Sequence, residues 1–337
     1  MKELATIGNK AVKTDGLLNK EAIISSFISS LDKKQSTINT YKTSIEQFFN
    51  YVAATGRELN TLTKADIVAF KKYLSEDGNK HSALTISTYI AAVKQFYKWA
   101  ESEKLYPNIA AGISLPRNRE YYIKQHLTKE ECIELLDLLK LPDGYKERKH
   151  EFTRRQQLQM RDYAMISLML WTGLRTIEVS RLDVGDITYK SGVKILRVWG
   201  KGHDEKDDFV VLPPECEESI NDYLQTRGSV NNNEPLFAGE GYDTVGQRLS
   251  PRRIQQICKE CLRQIGLDSH AYSAHSLRHT TAVQILLNGG DMYDVFYALR
   301  HVDPAVSQKY VKSIEQERRL QHGAGEYLKH AFVTSED

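Results

Sequence analysis

The stretch Thr172-Gly-Leu-Arg175-Thr-Ile-Glu178-Val-Ser-Arg-Leu182 orders the reading of the whole chain. Gly173 permits the tight turn that opens a helix, and Arg175 and Glu178 then stand one helical turn apart as neighbours. Taken alone, that pair is equally well explained as a surface ion pair. Immediately upstream, the pattern predicts a helix from Arg161 to Leu170. Downstream, Val193 to Trp199 and Asp208 to Leu212 read as two strands around the turn Gly200-Lys201-Gly-His203-Asp204. An exposed lysine at such a hairpin tip is also ordinary turn chemistry.

Further out, Thr128-Lys-Glu-Glu131 is a capping box ahead of the apolar stripe Cys132, Leu135, Leu136 and Leu139, which begins a second domain near Leu127. On the other side of the centre, helices resume at Pro251 and dominate to the end. In the first hundred residues, Ile38, Tyr41, Ile45, Phe48, Phe49 and Val52 recur at steps of three and four, and Thr85 to Trp99 repeats the pattern. Thr63 is an N-cap before Ile67, Phe70 and Leu74. These aromatic stripes read as core, because base-stacking rings would need an exposed face.

The predicted fold class is therefore mainly α with a small antiparallel β-sheet, in two domains. The expected division is a leader over 1–20, a helical domain over 21–112, a linker over 113–126, a mixed α/β domain over 127–312 and a tail over 313–337. The linker carries the polar run Pro116-Arg-Asn-Arg119. At 337 residues, two cores are the default expectation. Hydrophobic residues at 41% and charged residues at 27% are ordinary globular usage, which excludes a disordered or low-complexity chain.

No run is long enough to cross a bilayer, and Met1 to Lys20 lacks the apolar centre of a signal peptide, so the expected compartment is cytoplasmic. Cys132, Cys216, Cys258 and Cys261 are too few for a disulfide framework in a chain of this length. The Cys258/Cys261 pair falls on an amphipathic helix with Ile254, Ile257, Leu262 and Ile265, and structural thiols are the simplest reading. A net charge of +2 does not announce a nucleic-acid partner. Two local clusters, Arg117 with Arg119 and Lys124, and the denser run from Lys146 to Arg161, are compatible with one and with solvated faces.

Two further segments complete the set. His275-Ser-Leu-Arg278-His279 places an imidazole and a guanidinium on one helix face, with Leu277 turned away. His275 and His279 also have the spacing of metal ligands, but the segment is not HExxH and no third ligand is evident. Leu299-Arg300-His301 is followed, nine residues after the histidine, by Tyr310.

Read together, the order Arg-xx-Glu, hairpin Lys, His-xx-Arg-His, His and Tyr over residues 172–310 resembles the tyrosine recombinase, or phage integrase, family. Residues 20–110 resemble that family's helical core-binding domain. The resemblance implies a site-specific DNA recombinase that breaks and rejoins strands through a 3′-phosphotyrosyl intermediate. Tyr310 is then the nucleophile, Arg175 and Arg278 the phosphate clamp, and Lys201 the acid that protonates the leaving 5′-oxygen, with His203 the next candidate. His275 accepts or relays the tyrosine proton, His301 bonds a phosphate oxygen, and Glu178 and His279 support these groups from behind.

No cofactor, metal or ATP is implied. The implied partner is double-stranded DNA, with exchange through a Holliday junction in a homotetramer and an accessory protein or partner recombinase as a further expectation. One departure is visible: the family has Leu-Gly-His where this chain has Leu299-Arg300-His301. The short leader implies the simpler, Xer-like architecture without an arm-site domain. A type IB topoisomerase and a non-catalytic DNA-binding protein of the same fold are the alternatives. The second would show loss of a catalytic residue type, and none is missing. The tail, with Ile314, Leu320, Tyr327, Leu328 and Phe332, reads equally as a contact to a neighbouring subunit or a helix folded back on its own domain.

Overall fold

The computed structural model describes residues 5–7, 10–12, 20–76, 81–116, 125–141, 152–200, 205–239, 241, 244–308, 310–311 and 314. The chain divides into two compact units, Met1–Tyr121 and Tyr122–Asp337. The first holds a short antiparallel hairpin, β1 (Ala5–Ile7) with β2 (Lys10–Val12), in the segment expected to be a plain leader. Four helices follow: α1 (Lys20–Ser29), α2 (Gln35–Ala54), α3 (Lys64–Tyr73) and α4 (Ala83–Ser102).

The apolar spacing explains how these helices meet. Phe27, Phe48, Phe70 and Phe96 are fully buried, one from each helix. Their rings meet edge to face, Phe27 on Phe96 at 5.5 Å and Phe48 on Phe70 at 5.1 Å, the arrangement favoured by aromatic quadrupoles. Each ring taken from water contributes about 2–3 kcal/mol. The stripes are thus core, as the period implies. The start of α3 is held by Asp66, whose Oδ2 accepts from the Thr63 backbone N–H at 2.8 Å and from its hydroxyl at 2.9 Å.

The second unit is built on α5 (Lys129–Leu139), α6 (Arg154–Thr172), α7 (Thr176–Ser180), β3 (Ile187–Lys190), β4 (Val193–Val198), β5 (Asp208–Val211), α8 (Pro214–Thr226), α9 (Pro251–Gln264), α10 (Ala274–Leu287) and α11 (Met292–Ala298). Helix α6 is central and packs on α5, α8 and α10. It buries Ala164 to Met169 without a break, the mark of a helix covered on all sides. It begins about two turns earlier than its apolar pattern suggests, because Gln156 Oε1 accepts from the Thr153 N–H at 2.8 Å and caps a polar first turn. Thr128 and Glu131 form the expected reciprocal cap on α5.

The sheet is antiparallel in the order β3-β4-β5, with Leu196 opposite both Ile187 and Val210. Two elements lie beyond the sequence expectation. Strand β3 (Ile-Thr-Tyr-Lys) is short and half exposed, and α8 opens on Pro213-Pro214, residues that suit a helix start. The base of the sheet is pinned electrostatically: Lys206 pairs with Asp183 at 2.7 Å and with Asp186, and Arg248 pairs with Asp183. Cys258 and Cys261 face the core from α9, and burial pushes the Cys261 thiol up to about 12. Among the described residues no helix is long and apolar enough to cross a membrane. The tail beyond Ile314, residues 117–124 of the linker and most of the Lys146–Arg161 cluster lie outside the described residues.

Candidate active site

Helix α6 ends at Gly173, whose φ of 62° is the left-handed turn that lets the chain reverse into α7. Arg175 is the N-cap of α7 and Glu178 its third residue, so the ion pair is also a cap. Glu178 Oε1 receives Arg175 Nη1 at 2.7 Å, and its Oε2 accepts from the Arg175 backbone N–H at 2.7 Å. Glu178 is buried, so this pair is more than surface decoration. The Gly173 turn has no room for a side chain: a Cβ would stand 2.3 Å from Leu299 Cδ2, itself fully buried. Gly173→Ala should therefore lose roughly 2–3 kcal/mol from left-handed strain and overpacking, read as a drop in urea midpoint at unchanged m-value.

Helix α10 carries His275, Arg278 and His279. Ser273 opens it, accepting from the His275 N–H at 3.3 Å. His275 is exposed, whereas Arg278 is 2% exposed. Nη1 of Arg278 donates to the Gly173 carbonyl at 2.5 Å and its Nη2 to the Leu299 carbonyl at 2.6 Å, which ties α10 to the turn after α6 and to the end of α11. Burial, with the neighbouring Arg175, pushes this guanidinium down to about 10, so it is still a cation at neutral pH. Arg175, His275 and Arg278 line one open cleft of about 470 Å³, together with Thr176, Gln255 and Ser273.

Tyr310 follows a short helical stretch over 304–308 and is 8% exposed. Burial raises its pKa, opposed by Arg278 and Arg175, and Arg278 lies within hydrogen-bonding reach of its hydroxyl. The ring is held between two imidazoles, His279 at 4.8 Å and His301 stacked at 5.9 Å. His301 is oriented by Ser307, its Nδ1 and the serine Oγ sharing a hydrogen bond of 2.8 Å. The chain entering this unit reaches the same place: His126 lies 6.0 Å from His279 ring to ring, and the Leu127 N–H donates to Thr280 Oγ1 at 2.8 Å.

The structure thus brings together Arg175, Glu178, His275, Arg278, His279, His301 and Tyr310 from four segments. It separates His275 from His279, the one on the cleft and the other buried against Tyr310, which removes them as a shared metal pair. Lys201 and His203 lie outside the described residues. The base of their hairpin is defined by the Gly200 N–H, which donates to Asp207 Oδ1 at 3.1 Å. Sequence reasoning missed the parts played by three groups, of which only Arg300 is singled out in the sequence, as a departure from glycine. Ser307 orients His301, and no motif marks it. Arg300 has φ 51° and donates through Nη2 to Glu178 Oε2 at 2.7 Å. Asp208, the first residue of β5, lies with Oδ2 3.5 Å from Arg300 Nε. The left-handed φ at position 300 could have been anticipated from the glycine expected there. The ion pairs could not.

Comparison with known proteins identifies the family. The family model "Phage integrase family" matches residues 128–317, and "Phage integrase, N-terminal SAM-like domain" matches 24–104. The chain belongs to the phage integrase family, the class of tyrosine-type site-specific DNA recombinases. It is similar to tyrosine recombinase XerC of Pelobacter propionicus, with 27% identity over 81% of this chain and 83% of the relative. To XerC of Lactobacillus delbrueckii subsp. bulgaricus it is 28% identical over 77% of this chain and 80% of the relative. The fold resembles the XerH recombinase in a post-cleavage complex with palindromic difH substrate, at TM-score 0.67 and 20% identity over 92% of this chain and 85% of that one. It also resembles a lambda integrase fragment bound to a core site, at TM-score 0.61 and 14% identity over 86% and 94%.

Proposed function

We propose that this enzyme binds double-stranded DNA and cleaves it at a specific site through a covalent bond between Tyr310 and the 3′-phosphate. The observation that carries the proposal is the position of Tyr310, packed between His279 and His301 and within reach of Arg278, whose guanidinium also faces the cleft with Arg175 and His275. That the XerH and lambda integrase structures are complexes with DNA supports the choice of substrate.

Attack of the Tyr310 oxygen on phosphorus builds negative charge on the non-bridging oxygens. Arg175 and Arg278 meet that charge with preorganised cations, and the planar guanidinium fork suits two phosphate oxygens at once. Tyr310 is a phenol at neutral pH, since burial raises its pKa, and it must release a proton as it attacks. His275 accepts or relays that proton. His301, aimed by Ser307, donates to a non-bridging oxygen. As the bond from phosphorus to the 5′-oxygen breaks, Lys201 protonates the departing oxygen.

The phosphotyrosyl ester keeps the energy of the broken strand, so a 5′-hydroxyl can reverse the reaction without ATP. Exchange between two duplexes needs four such sites, hence a DNA-bound homotetramer and a Holliday junction. A cytoplasmic location and a partner recombinase or accessory protein fit this reading. The test is a nicked suicide duplex incubated with the protein in excess EDTA, followed by proteolysis and mapping of the nucleotide adduct. The expected adduct is on Tyr310, formed at an undiminished rate, because fixed cations replace a metal. An adduct on another residue overturns the nucleophile, and strict dependence on magnesium overturns the metal-free mechanism.

A further inference from the structure

We propose that Arg300 is a positioning residue that locks the β4–β5 hairpin, and the lysine it carries, to the arginine clamp. The proposal rests on the reading of Lys201 as general acid. Arg300 occupies a left-handed conformation, φ 51°, that side chains other than glycine rarely adopt. A glycine would meet this backbone demand without strain, so the guanidinium is what the chain gains by departing from it.

The side chain of Arg300 is 8% exposed. Through Nη2 it holds Glu178 Oε2 at 2.7 Å, on the carboxylate that also holds Arg175, and its Nε lies 3.5 Å from Asp208 Oδ2. Asp208 pairs with Val198 across the hairpin, so the two residues bracket the loop that contains Lys201. A planar fork can serve two carboxylates in fixed directions, which a lysine's point charge cannot. Arg300 therefore joins three segments that must agree in position when the phosphate is attacked: the clamp on α7, the hairpin, and the turn that delivers His301. Misplacing an acid by even about 1 Å is worth on the order of 100-fold in rate.

The experiment measures single-turnover cleavage by the full-length enzyme on nicked duplexes carrying either an ordinary 5′-bridging oxygen or a 5′-bridging sulfur, which hardly needs a proton to leave. The variants are Arg300→Gly, Asp208→Asn and the two combined, with Lys201→Ala as reference and thermal unfolding as the check on folding. Glycine suits the φ, so Arg300→Gly is expected to fold. It should cleave the oxygen substrate slower by on the order of 100-fold. It should recover most of that loss on sulfur, and the double variant should be no slower than Arg300→Gly alone.

A parental rate for Arg300→Gly overturns the proposal. So does multiplication of the two single effects, since independent residues would give that result. Equal slowing on oxygen and sulfur would mean that Arg300 serves only the Glu178–Arg175 clamp, and the hairpin lock would be wrong. Failure of sulfur to rescue Lys201→Ala would displace the acid instead, and the lock would then be judged by the double variant alone.

Discussion

Tyr310→Phe is expected to bind target DNA about as tightly as the parent and to form no covalent complex. The substitution removes one oxygen and keeps the ring that packs against His279 at 4.8 Å and His301 at 5.9 Å. Stability should therefore change by no more than about 1 kcal/mol, the worth of one hydrogen bond. The chemical loss is of another size. Without a nucleophile the covalent route closes, and by analogy with other covalent enzymes the rate falls on the order of 10⁴- to 10⁶-fold. A denaturing gel of a nicked suicide substrate reads this as disappearance of the slow-migrating protein–DNA band. Persistence of the band would remove Tyr310 from its role.

The second large effect separates the phosphate clamp from the acid. Arg278→Ala and Arg175→Ala should each lose about 3–4 kcal/mol of transition-state stabilisation, by analogy with oxyanion donors, and a 5′-bridging sulfur should restore neither. Lys201→Ala should be slow by orders of magnitude on oxygen and recover on sulfur, since only the proton is missing. Arg278→Ala carries an additional signature. It leaves the Gly173 and Leu299 carbonyls without their guanidinium donors, at about 1–3 kcal/mol for each group left unsatisfied, so its unfolding midpoint should fall well below that of Arg175→Ala. Equal rescue of all three variants by sulfur would refute the division of labour.

How far the molecule was legible beforehand depended on whether the determining interactions were local. Phe48, Ile45 and Val52 announce the buried face of α2 because burial follows a period that the chain itself displays. Thr63 with Asp66, and Thr128 with Glu131, announce helix starts because both capping partners lie three residues apart. The polar first turn of α6, Arg154 to Gln157, hides its start, and Leu158 and Met160, two residues apart, do not by themselves display the helical period. Strand β3 hides because its four residues are too few to alternate and are half exposed.

At the candidate site the residue types were visible, and their division between surface and interior was not. His275 and His279 look alike at one-turn spacing, yet one faces the cleft and the other packs on Tyr310. Arg278 looks like a phosphate ligand, and only the fold reveals that two of its nitrogens also bind backbone carbonyls across 105 and 21 residues of chain. Arg300 was noticed as a departure from a glycine. Its two carboxylate partners come from residues 122 and 92 positions upstream, and such pairings leave no local trace.

The way the chain enters the second unit has a mechanical meaning. Leu127 is fastened to Thr280, and His126 leans on His279, which leans on Tyr310. A displacement of Leu127 is felt first on α10, at Thr280, one residue from His279. Leu127 and His126 thus anchor the start of this unit two side chains from the Tyr310 hydroxyl, and the stiffness of that anchor bears directly on how the tyrosine ring is held.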